Sequence, residues 1–183
     1  MAIIEAIETI RLEATAASVS FDSMAGYEHL QLRFSAATDD TGGNWKSINL
    51  QFNNDTASNY TYRQMYSYSS STATFGSNAA NTRSGWITTY EGGIGGGAGN
   101  YGGGAPQSFG GGVITIPDYL NTNKNTASFT MGGTGGRGAT RGLQGVTWGL
   151  WDTTSALTKI TLAPQTGSWI TGTTFTLYGI KSS

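Results

Sequence analysis

Ser47–Tyr60 reads SINLQFNNDTASNY, and this stretch decides the fold. Ile48, Leu50 and Phe52 alternate with Ser47, Asn49, Gln51 and Asn53, the period of two that marks a strand buried on one face. Asn53, Asn54 and Asp55 then end it, because their short side chains hydrogen-bond to nearby backbone and tolerate turn geometry. The rest of the chain reads as further strands that pack against this one.

Upstream, Leu30, Leu32 and Phe34 alternate with His29, Gln31 and Arg33 in the segment Tyr27–Ala36, and Val19 with Phe21 forms a shorter pair ended by Asp22-Ser23. The segment Ile3–Ala14 is ambiguous, since Ile3, Ile4, Ile7, Ile10 and Ala14 can line a helical face. Its β-branched residues and the alternation of Ile10 and Leu12 with Arg11 and Glu13 favour a strand from Glu8 to Ala14, preceded by an N-terminal arm over residues 1–7 that is mobile or held by a partner. Downstream, Tyr60, Tyr62, Tyr66 and Tyr68 with Met65 between them predict a strand partly covered on both faces, and so a neighbour on its outer side. Residues 69–84 are polar and read as a long loop, after which Trp86, Ile87 and Tyr90 resume an extended pattern.

Between Gly92 and Gly112, 12 of the 21 residues are glycine. Alternation returns with Ile114 and Ile116, a turn-rich connection spans Asp118–Asn125, and Ala127–Met131 reads as a short strand. A second glycine-rich segment, 132–145, carries Arg137 and Arg141. Strands follow at Val146–Trp151, at Lys159–Ala163, and at Thr173–Ile180, where Phe175 and Leu177 oppose Thr174, Thr176 and Tyr178. A turn at Pro164–Gly167 separates the last two. About eight to ten short strands and no helix predict an all-β fold, a jelly-roll-like β-sandwich with long glycine-rich loops. The domain spans 8–183, with glycine-rich excursions near 92–112 and 132–145.

At 183 residues the chain suits one such domain, large enough to bury roughly 70% of the surface its unfolded form exposes. It has no cysteine, hence no disulfide or thiolate metal site. A net charge of −1 gives no basic field for nucleic acid or anionic lipid. Only 11% of residues are charged, so Ser, Thr, Asn, Gln and Gly must supply the polar surface, a composition commoner in viral, secreted or assembly proteins than in cytosolic enzymes. The opening MAIIEAIETIRLEA sets Glu5 and Glu8 where a signal peptide needs apolar residues. No apolar run reaches the roughly eighteen residues a membrane helix requires.

Candidate chemistry is thin. His29 is the single histidine, so no histidine metal cluster can form and any catalytic triad would have to use it; on the outward parity of its strand it reads as a surface or interface residue. Asp39 with Asp40, and Asp55 with Asn53 and Asn54, offer oxygens for Ca²⁺, but their spacing matches no dedicated loop and turn capping accounts for them. Gly97-x-Gly99-x-x-Gly102 and Gly133-x-Gly135-x-x-Gly138 imitate a phosphate motif without the following helix that gives it meaning. Asn54 and Asn59 head glycosylation sequons that mean little without a secretory signal. Arg137 and Arg141 form a local basic spot suited to a salt bridge or an interface. The expectation is a non-enzyme without cofactor or metal.

The polyglycine segment admits three readings: a flexible excursion, a subunit contact, and recognition, since projecting glycine loops carry receptor contacts in some adhesins. As a solvated excursion it would stay mobile, since glycine loses the most backbone entropy on ordering. Ile94, Tyr101 and Phe109 would be wasted there, whereas a neighbouring subunit could order the glycines by close backbone approach.

Three motifs carry a resemblance: Tyr27-x-His29-Leu30-x-Leu32; Ile48-x-Leu50-x-Phe52-Asn53-x-Asp55 with Asn59-Tyr60; and the ending Thr173–Ile180. Together they resemble a family of small tailed-phage structural proteins, jelly-roll capsid decoration (cement) proteins and related fibre or knob domains. Met24-Ala25-Gly26 stands where that family has an Ile-Pro pair before the tyrosine, and the glycine insertion has no clear counterpart in it. The resemblance implies a virion protein, a homotrimer on the outer capsid that clamps adjacent major capsid subunits, with no catalytic residues. Ile3, Ile4 and Ile7 of the arm, Tyr60, Tyr62, Tyr66 and Tyr68, and Ile94, Tyr101 and Phe109 are then the expected interface residues. The alternative is a tail fibre or knob domain whose Trp86, Tyr90, Tyr101 and Trp151 stack on a host surface glycan.

Overall fold

The computed structural model of the chain describes residues 3–40, 46–68, 74–83, 87–96, 109–134 and 143–181, and of 68, 74–83, 87–96 and 143 the backbone alone. Twelve strands follow one another, with no helix among the described residues. They are β1 (Ile3–Arg11), β2 (Val19–Phe21), β3 (His29–Thr38), β4 (Lys46–Phe52), β5 (Tyr60–Tyr68), β6 (Thr74–Arg83), β7 (Ile87–Gly96), β8 (Gly110–Ile116), β9 (Thr126–Thr134), β10 (Leu143–Trp151), β11 (Ile160–Pro164) and β12 (Thr174–Lys181).

In the order β1-β12-β3-β8, four strands form one antiparallel sheet, and β2-β11-β4-β7 form a second. Chain that alternates between two sheets in this order traces the paired Greek keys of a jelly roll. Two hairpins are inserted into it, β5-β6 between β4 and β7, and β9-β10 between β8 and β11. Both extend the first sheet, β9 on β8, β10 on β9, β5 on β10 and β6 on β5, so the larger sheet runs β1-β12-β3-β8-β9-β10-β5-β6. A short parallel contact of β3 with β7, at Ala37 and Thr38, ties the sheets at one corner.

The core lies where the jelly-roll parts of the two sheets face each other. Leu30, Leu32 and Phe34 of β3, Ile114 and Ile116 of β8 and Phe175 and Leu177 of β12 meet Ile48, Leu50 and Phe52 of β4, Ile160 and Leu162 of β11 and Val19 and Phe21 of β2. Each such side chain contributes about 1.5–3 kcal/mol by leaving water. Trp169 closes one end, fully buried, with its ring 5.1 Å from Phe175 and its indole N–H donating to the Leu162 carbonyl at 3.2 Å. The alternation read in β3 and β12 is the alternation that folds. In β4, Ile48, Leu50 and Phe52 enter the core as expected, but Ser47 and Gln51 on the other parity are buried too, so this strand is covered on both faces.

Three expectations need correction. The strands number twelve among the described residues. The polar segment read as a loop holds β6, and the glycine-rich stretches run on into the ladders of β7, β8 and β9. Glycine is required in one of these: a Cβ on Gly112 would come within 2.5 Å of the Met131 carbonyl oxygen and 2.7 Å of the Phe34 ring. Third, residues 3–7 are not an arm. They pair with β12, Ile3 opposite Lys181 and Ala6 opposite Tyr178, and β1 ends at Arg11. A bulge between Ala6 and Glu8 shifts the phase, which is why the period of two does not read through this segment. Beside it, the Tyr27 ring packs on Gly179 at the margin of the core, where a Cβ would sit 2.1 Å from the ring, and its hydroxyl donates to Glu5 Oε2, which also meets Lys181 Nζ at 3.3 Å.

Candidate functional site

The residues that looked most chemical in the sequence are architectural. Asn53 and Asn54 take φ of 50° and 56°, the left-handed turn conformation their side chains permit. Asn53 Oδ1 accepts from the backbone N–H of Thr158 and Lys159 at 2.8 and 2.9 Å, while its Nδ2 donates to the Ala156 carbonyl. Asp55 accepts from Trp151 Nε1 at 2.7 Å, from Asn59 Nδ2 at 2.7 Å and from the Ala57 N–H at 2.8 Å. Burial alone would raise its carboxyl, but these donors outweigh it and hold the group below the ordinary carboxylate range. Tyr60 is fully buried beneath the turn, its hydroxyl donating to carbonyls of Phe52 and Asp55, and burial pushes it up to about 12. The turn therefore pins β4 and β5 to the β10–β11 connection.

The other candidates are likewise engaged in structure. His29 is half-buried and accepts at Nδ1 from the Asp118 N–H at 2.9 Å. Asp39 accepts from the Ser168 N–H at 2.7 Å, and Asp40 pairs with Lys46 at 2.9 Å. Among the described residues no group of three or more His, Asp or Glu side chains could hold a metal. The Asn59 amide is committed to Asp55, while Asn54 is exposed.

The expected interface residues scatter. Ile3 and Ile4 are exposed on β1, and Phe109 is exposed ahead of β8. Ile7 packs against the core, Tyr60 and Tyr62 are inside it, and Tyr66 is half-buried, so the aromatic parity of β5 faces inward. Tyr101, Trp86, Arg137 and Arg141 lie outside the described residues, as do the side chains of Tyr68, Tyr90 and Ile94. Trp151 is buried against Phe52 and Tyr60 and presents no platform to a sugar.

A surface that the sequence reading did not single out lies on the outer face of the larger sheet. Two outward rows run in register across β3, β8, β9, β10 and β5. One is Arg33, Val113, Met131, Val146 and Met65; the other is Gln31, Thr115, Phe129, Trp148 and Arg63. Met131 is 52% exposed and Trp148 49%. Phe129 braces Trp148 with ring centroids 5.5 Å apart, and the Arg33 guanidinium lies 4.6 Å above the Tyr178 ring.

Behind this apolar surface the inner parity is polar. Thr126, Ser128 and Thr130 of β9, Thr147 of β10 and Gln64 of β5 are all buried, beneath a crossing by β7. Ser128 Oγ and Thr130 Oγ1 find no hydrogen-bond partner among the described residues. Buried aromatic inner residues return near the Asp55 turn, as Tyr60, Tyr62 and Trp151, while Tyr66 on the same parity is half-buried. The signal in the sequence was the TASFTMG alternation of β9, whose polar parity is the buried one. No protein-family model matches this chain, and no curated protein or solved structure was found to match it.

Proposed function

We propose that this chain is a structural protein of a tailed-phage virion, a capsid decoration (cement) protein that binds the outer capsid as a trimer and stabilises adjacent major capsid subunits. One observation carries the reading: the inserted hairpins turn an apolar face, with Met131, Trp148, Phe129, Val146 and Met65, away from the protein's own core. Exposed apolar side chains in register across neighbouring strands mark a surface built to be covered. Trp, Met and Arg are the residues enriched where proteins dock. The motif resemblance and the jelly-roll strand order agree with this role, and the sparse charge lets a large contact form without desolvating many ions.

A cement protein works by adding contact area across joints that internal pressure would open, and repeated multivalent copies multiply the effect. The test is the copy number of the chain in purified particles, measured by calibrated mass spectrometry against the major capsid protein. A count on the order of hundreds, following the lattice symmetry, is expected. A few copies per particle would move the protein to a tail or vertex and favour receptor recognition, and absence from the particle would overturn the proposal.

A further inference from the structure

The larger sheet is chemically asymmetric across its width. Glu5 and Glu8 of β1 are the only carboxylates carried by any of its eight strands. At that edge Ile3 and Ile4 are 39% and 53% exposed. Toward the other end lies the Trp148 face, flanked by Arg33 and Arg63 and free of acidic groups. A two-fold contact of this face with its own image would give neither arginine a carboxylate partner, which weighs against it. Apolar residues beside a carboxylate are present on the same chain at β1, where Ile3 and Ile4 share the strand with Glu8, while Glu5 is paired with Lys181 and Arg11 with Glu13.

We propose that copies of this chain assemble head to tail, the outer face around Trp148 on one protomer receiving the β1 edge of the next. The proposal rests on the trimeric reading above and names the surfaces that would form the trimer. β1 and β10 stand five strand spacings apart, about 24 Å, so the two surfaces occupy separate parts of the protomer. A contact between unlike patches is heterologous, and three of them close a ring. β1 also answers a standing need of the fold. It is the last strand of its sheet, its outer backbone groups are unpaired by any described strand, and its bulge and glutamates are the devices that keep such an edge from pairing indiscriminately. Trp148 would be the anchor, Met131 and Met65 the adaptable surround, and Arg63 with Glu8 the charge pair that sets direction.

The experiment is sedimentation velocity on the full chain and on Trp148→Glu, Arg63→Glu, Glu8→Arg and the double variant Arg63→Glu/Glu8→Arg, with thermal unfolding as the check on folding. The wild-type chain is expected to be a trimer. Trp148→Glu and each single charge reversal are expected to raise the concentration for half-assembly by about thirtyfold or more, and the double reversal to recover much of that loss. A trimer that persists in Trp148→Glu overturns the proposal, as does a folded double variant that fails to recover. Should any variant not fold, hydrogen exchange of the wild-type chain at high and low concentration decides instead. Protection gained on assembly in 3–11 and 143–151 supports the contact, and protection confined elsewhere overturns it. A wild-type chain that stays monomeric also overturns it, while the particle copy number continues to test the decoration role independently.

Discussion

The two halves of the larger sheet obey opposite rules. Over β12, β3 and β8 the inward positions are Leu30, Leu32, Phe34, Ile114, Ile116, Phe175 and Leu177, and the neighbouring outward positions include Gln31, Arg33 and Thr176. Over β9 and β10 the inward positions include Thr126, Ser128, Thr130 and Thr147, and the outward ones Phe129, Met131, Val146 and Trp148. Same sheet, same period, inverted polarity. The first half packs on this chain's own second sheet, whereas the second half turns its apolar parity outward. Among the described residues, its inward side is crossed by the glycine-rich strand β7.

The sharpest way to break this comparison is to truncate one large side chain in each half. Phe175→Ala should cost about 3–5 kcal/mol, because Phe34 and Trp169 surround the ring and the cavity cannot collapse. Met131→Ser should change stability by no more than about 0.5 kcal/mol in the unassembled chain, since it removes a surface side chain. Urea unfolding of both variants measures the difference. A large loss for Met131→Ser would mean that this surface is already covered within the protomer.

Next in size is the turn that fastens the second half to the first. Asp55→Ala should cost about 2–3 kcal/mol, because Trp151 Nε1 and Asn59 Nδ2 lose a charged acceptor. The carboxyl sits below its unfolded value, so its ionisation contributes stability that is complete above an unfolded pKa of about 3.9 and is lost as pH falls through the lower folded value. Thermal melts between neutral and acid pH should show that loss in the wild-type chain and lack this contribution in Asp55→Asn.

Tyr60 gives a smaller effect of opposite sign in pH. Its hydroxyl is raised to about 12, so the stability it contributes is complete below an unfolded pKa of about 10 and is lost as pH rises through the folded value. Tyr60→Phe should cost about 1 kcal/mol near neutrality by removing the bonds to Phe52 and Asp55. Alkaline titration followed at the tyrosinate absorbance should lose a group titrating at about 12 in that variant. An unchanged titration would mean that the β4–β5 turn is open to solvent.

How far the sequence could be read follows the same division. β3, β4 and β12 were legible because Leu30-Leu32-Phe34, Ile48-Leu50-Phe52 and Phe175-Leu177 alternate and the alternating residues are the buried ones. The Asn53–Asp55 turn was legible for the chemistry of its side chains. β6 was not, since TFGSNAANTR holds few β-branched residues and is identified by its pairing with β5 and not by its composition. Alternation in β9 announces a strand without saying which parity is inside, and hydrophobicity points to the wrong one. The density of aromatics at Tyr60 and Tyr62 looks the same in sequence whether the rings meet a partner or the Phe52–Trp151 cluster.

The smallest expected effect bears most directly on the inverted half. Thr130 is fully buried, and its hydroxyl has no hydrogen-bond partner among the described residues. A buried hydroxyl left unpaired has lost water and gained nothing, so exchanging it for a methyl of similar shape should be neutral or stabilising by up to about 1 kcal/mol. Thr147→Val on the neighbouring strand is the control, since Thr147 is equally buried but engaged in an interaction. It should destabilise where Thr130→Val does not. If both valines destabilise alike, the inward face of β9 and β10 is a satisfied polar layer beneath β7, and its polarity is structural in its own right. If only Thr147→Val does, the inward hydroxyl of Thr130 is tolerated rather than needed, and the outward row on the same strands is where β9 and β10 carry their specific chemistry.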